Sequence, residues 1–162
     1  MAVDMFMIID PLKGESRDKE FGPKKAMDVL AWSWGLSNSG NAHSGGGGGA
    51  GVVHVSDLSF TKYVDAASSG LMVHACTGHH FEKATLTLRK AGGKPMPYYE
   101  VIMEQVFVTS ISTGGSGGED RLTENVSLNF AKVTVNYWPQ KADGTPDAVI
   151  PMTYDIAGKS KV

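Results

Sequence analysis

Cysteine is almost missing from this chain: Cys76 stands alone among 162 residues. With no partner for an intrachain disulfide, the chain is expected to fold in a reducing cytoplasm or without need of oxidation. Long apolar runs are missing too. The longest are the length of a strand, well short of the roughly 20 residues that span a bilayer, so membrane insertion is not expected. The opening Met1-Ala2-Val3-Asp4-Met5-Phe6 lacks both a basic segment and a long apolar one, and no cleavable signal peptide is expected. Export by a route that ignores such signals stays open. Positive charge is not in excess either: 15 Lys and Arg stand against 17 Asp and Glu, a formal net charge of −2. Proteins that neutralise phosphates need a basic surface, so nucleic-acid binding is not expected.

Hydrophobic residues, 41% of the total, suffice for one core, and the length fits a single domain over 1–162. Glycine is the outlier, with 20 residues concentrated in two tracts, 45–51 and 114–118. Between the tracts the chain reads mainly as strands. Residues 3–9 are apolar and end at Pro11 and Gly14, before a polar loop over 13–25. In 28–36 the residues split by parity: Leu30, Trp32, Trp34 and Leu36 on one face, Val29, Ala31, Ser33 and Gly35 on the other. The bulky face is expected in the core and the small one elsewhere. A long glycine-rich excursion follows over 37–51, then a short strand over 52–55. Residues 56–78 read as the helical region, with Asp57 and Ser59 as candidate caps and Phe60, Tyr63, Val64 and Ala67 at helical spacing. Ser68-Ser69-Gly70 is expected to interrupt it, and Gly78 to end a second piece. Strands resume at Phe81 and in 99–112. In 125–138 the apolar phase slips from Val126, Leu128 and Phe130 to Val133, Val135 and Tyr137, which predicts a bend near Ala131 and Lys132. A last strand over 149–156 contains Pro151 and so belongs at an edge or a start. The expected fold is mainly β: a barrel or sandwich with a helix on its side.

Residues that could carry chemistry do not assemble into a motif. His43, His54, His74, His79 and His80 fit no zinc spacing, and no cysteine set joins them. Cys76, with His74 or His79 as base, would be a nucleophile, but its apolar neighbours favour a packed small hydrophobe. The run Gly114, Gly115, Ser116, Gly117, Gly118 lacks the Lys-Ser/Thr of a phosphate loop and leads into Glu119 and Asp120, which repel phosphate. It reads as a long turn, with Arg121 pairing to a nearby acid. Glu100 and Glu104 share a strand face without an acid–base partner and read as solvated or interfacial. No catalytic residue, metal or cofactor is expected. Two oddities remain. Ordering glycine loops costs roughly 1–2 kcal/mol per residue, which is easier to understand if a partner surface orders them. The small uncharged face of 29–35 is also unusual for an exposed strand.

The segments carrying these oddities resemble the Hcp (haemolysin-coregulated) family of type VI secretion systems. The resemblance rests on Met1 to Phe6 with Gly14-Glu15-Ser16, on Asp28-Val29-Leu30-Ala31-Trp32-Ser33-Trp34-Gly35, and on the glycine tract with Asp57-Leu58-Ser59-Phe60-Thr61-Lys62-Tyr63. Leu88-Arg89-Lys90-Ala91-Gly92-Gly93 adds to it, and the most specific block runs from Ser112 to Val126 through Gly-Gly-Ser-Gly-Gly-Glu-Asp-Arg-Leu-Thr-Glu-Asn. It covers residues 1–144 and is weak at 21–27, 94–98 and after 145. The resemblance implies a two-sheet β-barrel with one flanking α-helix, assembled as hexameric rings that stack into a tube inside a contractile sheath behind a spike protein. It implies secretion without a signal peptide and effector proteins held in the ring lumen. On that basis Ala31 and Ser33 are expected to face the lumen. Gly45, Gly46, Gly47, Gly48 and Gly49, together with residues 114–118, are expected to act as assembly loops. The rival readings are a tail-tube protein of a phage or phage-like particle, and a monomeric enzyme or ligand-binding barrel.

Overall fold

The structure, a computed structural model, describes residues 2–43, 51–92 and 94–162. Among the described residues the chain forms ten strands and one helix. Six strands close a barrel: β1 (Val3–Ile8), β2 (Met27–Ser33), β5 (Leu58–Tyr63), β6 (Phe81–Lys90), β7 (Met96–Gly114) and β8 (Thr123–Tyr137). Their order is β8-β5-β2-β1-β6-β7, and β7 pairs again with β8, so the ring of strands has no free edge within it. Every pairing is antiparallel. Alternation puts Met7, Phe60, Leu86, Met103, Val126 and Leu128 inside, all buried. Outside the barrel, β3 (Leu36–Asn38) and β4 (Val53–Val55) form a separate hairpin, while β9 (Ile150–Asp155) and β10 (Ser160–Lys161) continue from β8.

Two expectations from the sequence are corrected. The first is the parity of β2. Val29 is buried and Leu30 is 40% exposed, because a bulge lies between Val29 and Ala31 in the pairing with β5. One extra residue reverses the phase. Beyond it Trp32 and Trp34 do turn inward, half-buried against Tyr99 and Phe130 respectively. Leu36, expected in the core, is exposed at the start of the hairpin.

The second correction concerns 56–78. Residues Leu58–Tyr63 are a strand whose burial alternates, with Leu58, Phe60 and Lys62 inside. Hydrogen bonding to β2 on one edge and β8 on the other decides the matter, since tertiary pairing overrides the chance helical spacing of Phe60, Tyr63, Val64 and Ala67. The helix, α1, is Ser68–Thr77, so the Ser-Ser-Gly expected to break it begins it. Asp65 organises the approach: its Oδ1 accepts the Ala67 N–H at 2.9 Å, while Ser68 Oγ accepts the Asp65 N–H at 3.0 Å. Leu71 is buried beneath the helix, and Gly78 ends it in the left-handed conformation at φ 70°, as its position in the sequence implies.

The bend foreseen in β8 is present. Buried positions run Glu124, Val126, Leu128, Phe130 and then jump to Val133. Up to Leu128 the strand pairs with β5, and from Lys132 onward with β9. At the corner the Ala131 carbonyl accepts the N–H groups of Ile156 and Ala157 at 2.8 and 3.1 Å, and across from it Gln105 takes a positive φ of 55°. Pro151 sits at the second position of β9, consistent with an edge strand.

Candidate functional site

Two buried ionic networks fix the frame that the surfaces hang on. Lys62 and Glu124 occupy core-phase positions on neighbouring strands and are fully buried, 2.5 Å apart. The ammonium also donates to Asp65 Oδ1 at 2.9 Å, the Tyr63 carbonyl at 2.8 Å and Ser68 Oγ at 3.2 Å. Ser68 Oγ in turn donates to Glu124 Oε1 at 2.5 Å. Two strands and the start of α1 are thereby tied at one point. The second network centres on buried Arg89, which reaches Asp18 at 2.5 Å and Asp4 at 3.1 Å and lies over the rings of Phe6 and Phe21. It clasps the polar loop of 13–25 to the barrel. The hydrogen bond from Arg89 holds the Asp18 carboxyl at about 2, well below the usual carboxylate range, and the same contact raises the guanidinium. Sequence reading missed both networks. The signal of the first was a charged residue in the core phase, with Lys62 two after Phe60 and Glu124 two before Val126, whereas Arg89 stands out of phase with the core residues Leu86 and Leu88 and carried no such signal.

The first candidate surface is the outer face of β2, β5, β8 and the distal half of β7. Ala31 and Ser33 are exposed there. Ser33 stands opposite Ser59, Ser59 opposite Ser127, and Ser127 opposite Ser110. The next row aligns Ala31, Thr61, Asn125 and Ser112. Toward the end of this face, Tyr63 pairs with Thr123 and Thr123 with Gly114. Gly114 ends β7, while Gly115, Ser116, Gly117 and Gly118 form the exposed connection to β8. Arg121, expected to pair with an acid, instead lies over the Tyr63 ring at 3.7 Å. The glycines 45–49 lie outside the described residues.

The second surface is apolar. Gly35 and Ser56 root the hairpin: the Gly35 carbonyl accepts both the Ser56 N–H at 2.9 Å and its hydroxyl at 2.8 Å, and Trp34 Nε1 donates to the Ser56 carbonyl at 3.0 Å. Between the hairpin and β9 opens a cleft of about 560 Å³ lined by Leu36, Val52, Val53, Val133, Met152 and Tyr154. Leu36, Val52 and Ile150 are 54%, 67% and 59% exposed. The outer edge of β9 pairs with β10 only at Tyr154 and Asp155, so among the described residues it is open over 150–153.

The residues considered for chemistry scatter. His43, His54, His79 and His80 are exposed, and His74 stacks on Phe81 at 3.9 Å. Cys76, expected to pack, is exposed on α1, because the buried side of the helix is carried by Ser68 and Leu71. Glu100 accepts from Asn136 at 3.1 Å and Glu104 faces Lys132 at 3.6 Å. Among the described residues no three His, Cys, Asp or Glu side chains are gathered as metal ligands, and no helix is long and apolar enough to cross a membrane.

Comparison with known proteins points one way. A family model described as "Type VI secretion system effector, Hcp" matches residues 6–137. A Pseudomonas aeruginosa protein, "Protein hcp1", is 60% identical over 148 residues, 91% of this chain and 90% of that protein. Among solved structures, one described as a type six secretion system protein is 30% identical with a TM-score of 0.91, covering 99% of this chain and 100% of the other. Hcp1 from Salmonella typhimurium is 31% identical with a TM-score of 0.78, and both chains are covered in full.

Proposed function

The chain belongs to the Hcp family of type VI secretion proteins, and from that premise we propose that it is the repeating subunit of a secretion tube. Six copies close into a ring around an open centre, rings stack coaxially, and the tube leaves the cell when an enclosing sheath contracts behind a spike at its tip. Effector proteins travel in the lumen. The chain's work on this reading is assembly and carriage.

The observation that carries the reading is the apolar cleft between the β3–β4 hairpin and β9. The barrel already has a closed core of its own, so the exposed Leu36, Val52, Ile150 and Met152 are surplus to folding. Contiguous apolar surface of this kind marks an interaction site. A head-to-tail contact that places the cleft of one protomer against a different surface of the next closes by rotation into a ring. Burying such a patch is worth roughly 25 cal/mol per Å², and a stable contact removes about 1,600 Å² in total. The small, uncharged face bearing Ala31 and Ser33 then turns toward the lumen, and the glycine loop over 114–118 lies between stacked rings.

Replacing Leu36 and Met152 by Lys tests this. Neither residue belongs to the barrel core, so the variant is expected to keep its β-sheet circular dichroism while sedimenting as protomers. A variant that still forms rings would move the contact away from the cleft.

A further inference from the structure

The buried Lys62–Glu124 network joins two exposed elements that ring assembly does not require to be joined. Glu124 is the second residue of β8, just past the exposed connection over 115–122. Its Oε1 accepts from Lys62 Nζ and from Ser68 Oγ, both at 2.5 Å. Its Oε2 accepts from Thr113 Oγ1 at 3.4 Å, one residue before β7 ends. Two residues before Glu124, the Leu122 carbonyl accepts the Val64 N–H at 3.0 Å. Both ends of the glycine connection and the segment that enters α1, residues 62–68, are thus held by one buried carboxylate and one backbone bond.

Each of the joined elements is weakly built by itself. α1 has ten residues, short of the roughly 12–15 at which an isolated helix is marginal in water. It contains Gly70, its N-cap residue Ala67 makes no side-chain cap, and its first turn has no acidic residue. Its first residue, Ser68, is committed to Glu124. Its other anchors are buried Leu71, the Ala66 N–H donated to Glu15 Oε2 at 2.8 Å and the stack of His74 on Phe81. Among the described residues, the connection over 115–122 has a single internal backbone bond, from the Glu119 N–H to the Ser116 carbonyl at 3.1 Å. Gly117 and Gly118 lie in open space, with nothing within 4 Å of where a side chain would begin.

We infer that the Lys62–Glu124 network is a relay that couples the order of the 115–122 connection to the order of α1. Opening α1 withdraws the Ser68 hydroxyl from a buried carboxylate, and opening the connection moves that carboxylate away from Lys62. Either event leaves a buried charge short of a partner. Once one has occurred, the other has less left to break, so the two open together more readily than apart. Coupling of this kind is reciprocal: a contact that holds the connection firms the helix, and a contact that holds the helix firms the connection.

Hydrogen exchange of the full chain tests the relay. Gly117→Ala together with Gly118→Ala stiffens the connection without a clash, since neither glycine takes a positive φ, and each such change is worth roughly a two- to fivefold shift in population. The amides of 72–77 in α1 are expected to exchange at least about threefold more slowly. Those of the β3–β4 hairpin, which is hydrogen-bonded to neither element, are expected to keep their rates. In a Ser68→Ala background the same pair of changes should leave α1 unaltered. Conversely, Ser68→Ala alone should speed exchange at the Glu119 amide at least about twofold. Overturning results are α1 rates that ignore the stiffened connection, α1 rates that respond equally with and without the Ser68 hydroxyl, or an equal change in the hairpin. If the Ser68→Ala chain does not fold, α1 against the hairpin in the stiffened chain decides alone. The comparison is made within one assembly state, so its outcome is separate from whether the chain forms rings.

Discussion

Lys62 and Glu124 are the residues whose removal should be felt most. Removing one partner strands a charge inside the barrel, which costs about 3–5 kcal/mol. Glu124→Gln or Lys62→Met is therefore expected to lower the urea midpoint sharply, and the double replacement Lys62→Met with Glu124→Leu to recover a large part of the loss. Arg89 and Asp18 give a pH-dependent counterpart. The Asp18 carboxyl is held at about 2 in the folded chain against 3.8 otherwise. The unfolded chain thus binds the proton first as pH falls. The stabilisation is complete above about pH 4 and disappears as pH drops through about 2. The difference in urea midpoint between the unmutated chain and Asp18→Asn should be full at pH 6 and vanish near pH 2. A difference that stayed constant across that range would mean the Arg89 contact is not what holds the loop. Trp32 and Trp34 are half-buried, so truncation to Ala should cost less than the 3–5 kcal/mol of a fully buried aromatic, roughly 2 kcal/mol each.

At the scale of elements, one residue sets the facing of β2. Leu30 is the extra residue in the pairing with β5, and deleting it would remove the bulge while leaving Val29 and Trp32 both on the inner face under strict alternation. The deletion is therefore expected to keep soluble expression and the inward packing of Trp32 and Trp34. Leu30→Ser, which keeps the residue count at an exposed position, should shift stability by no more than about 0.5 kcal/mol. A deletion that abolished soluble expression while Leu30→Ser did not would mean that Leu30 is not the extra residue of the pairing. The same strand shows where sequence reading stops. Parity placed the two tryptophans correctly but misassigned Val29, because a bulge leaves no mark in the alternation when both faces carry apolar residues. The slip in β8 was legible, since Phe130 and Val133 differ in phase with only Ala131 and Lys132 between them. The segment Leu58–Tyr63 was not, because its identity as a strand depends on β2 and β8 hydrogen bonding to both of its edges. Gly78 was legible as a helix end, since a left-handed residue after the last turn is local chemistry. Of the surfaces, the small face at Ala31 and Ser33 could be seen in one strand. Its continuation through Ser59, Ser127 and Ser110 required the register.

For the whole molecule, the division between a finished core and unfinished surfaces is what matters. Ser33 faces away from the core, so Ser33→Arg and Ser33→Glu should leave folding and ring formation unchanged by circular dichroism and sedimentation, while reducing cargo retention through crowding and through unpaired charge at the wall. Loss of folding in either variant would place Ser33 in a packed environment. The central claim is that the protomer is complete as a fold and incomplete as a surface. It is tested most directly by the mass of the unmutated, untagged chain in solution, measured by light scattering from low to high micromolar concentration. The account predicts particles six times the 17.2 kDa protomer once the apolar cleft is occupied by a neighbour. A mass that stays at that of one protomer across the whole range would contradict it.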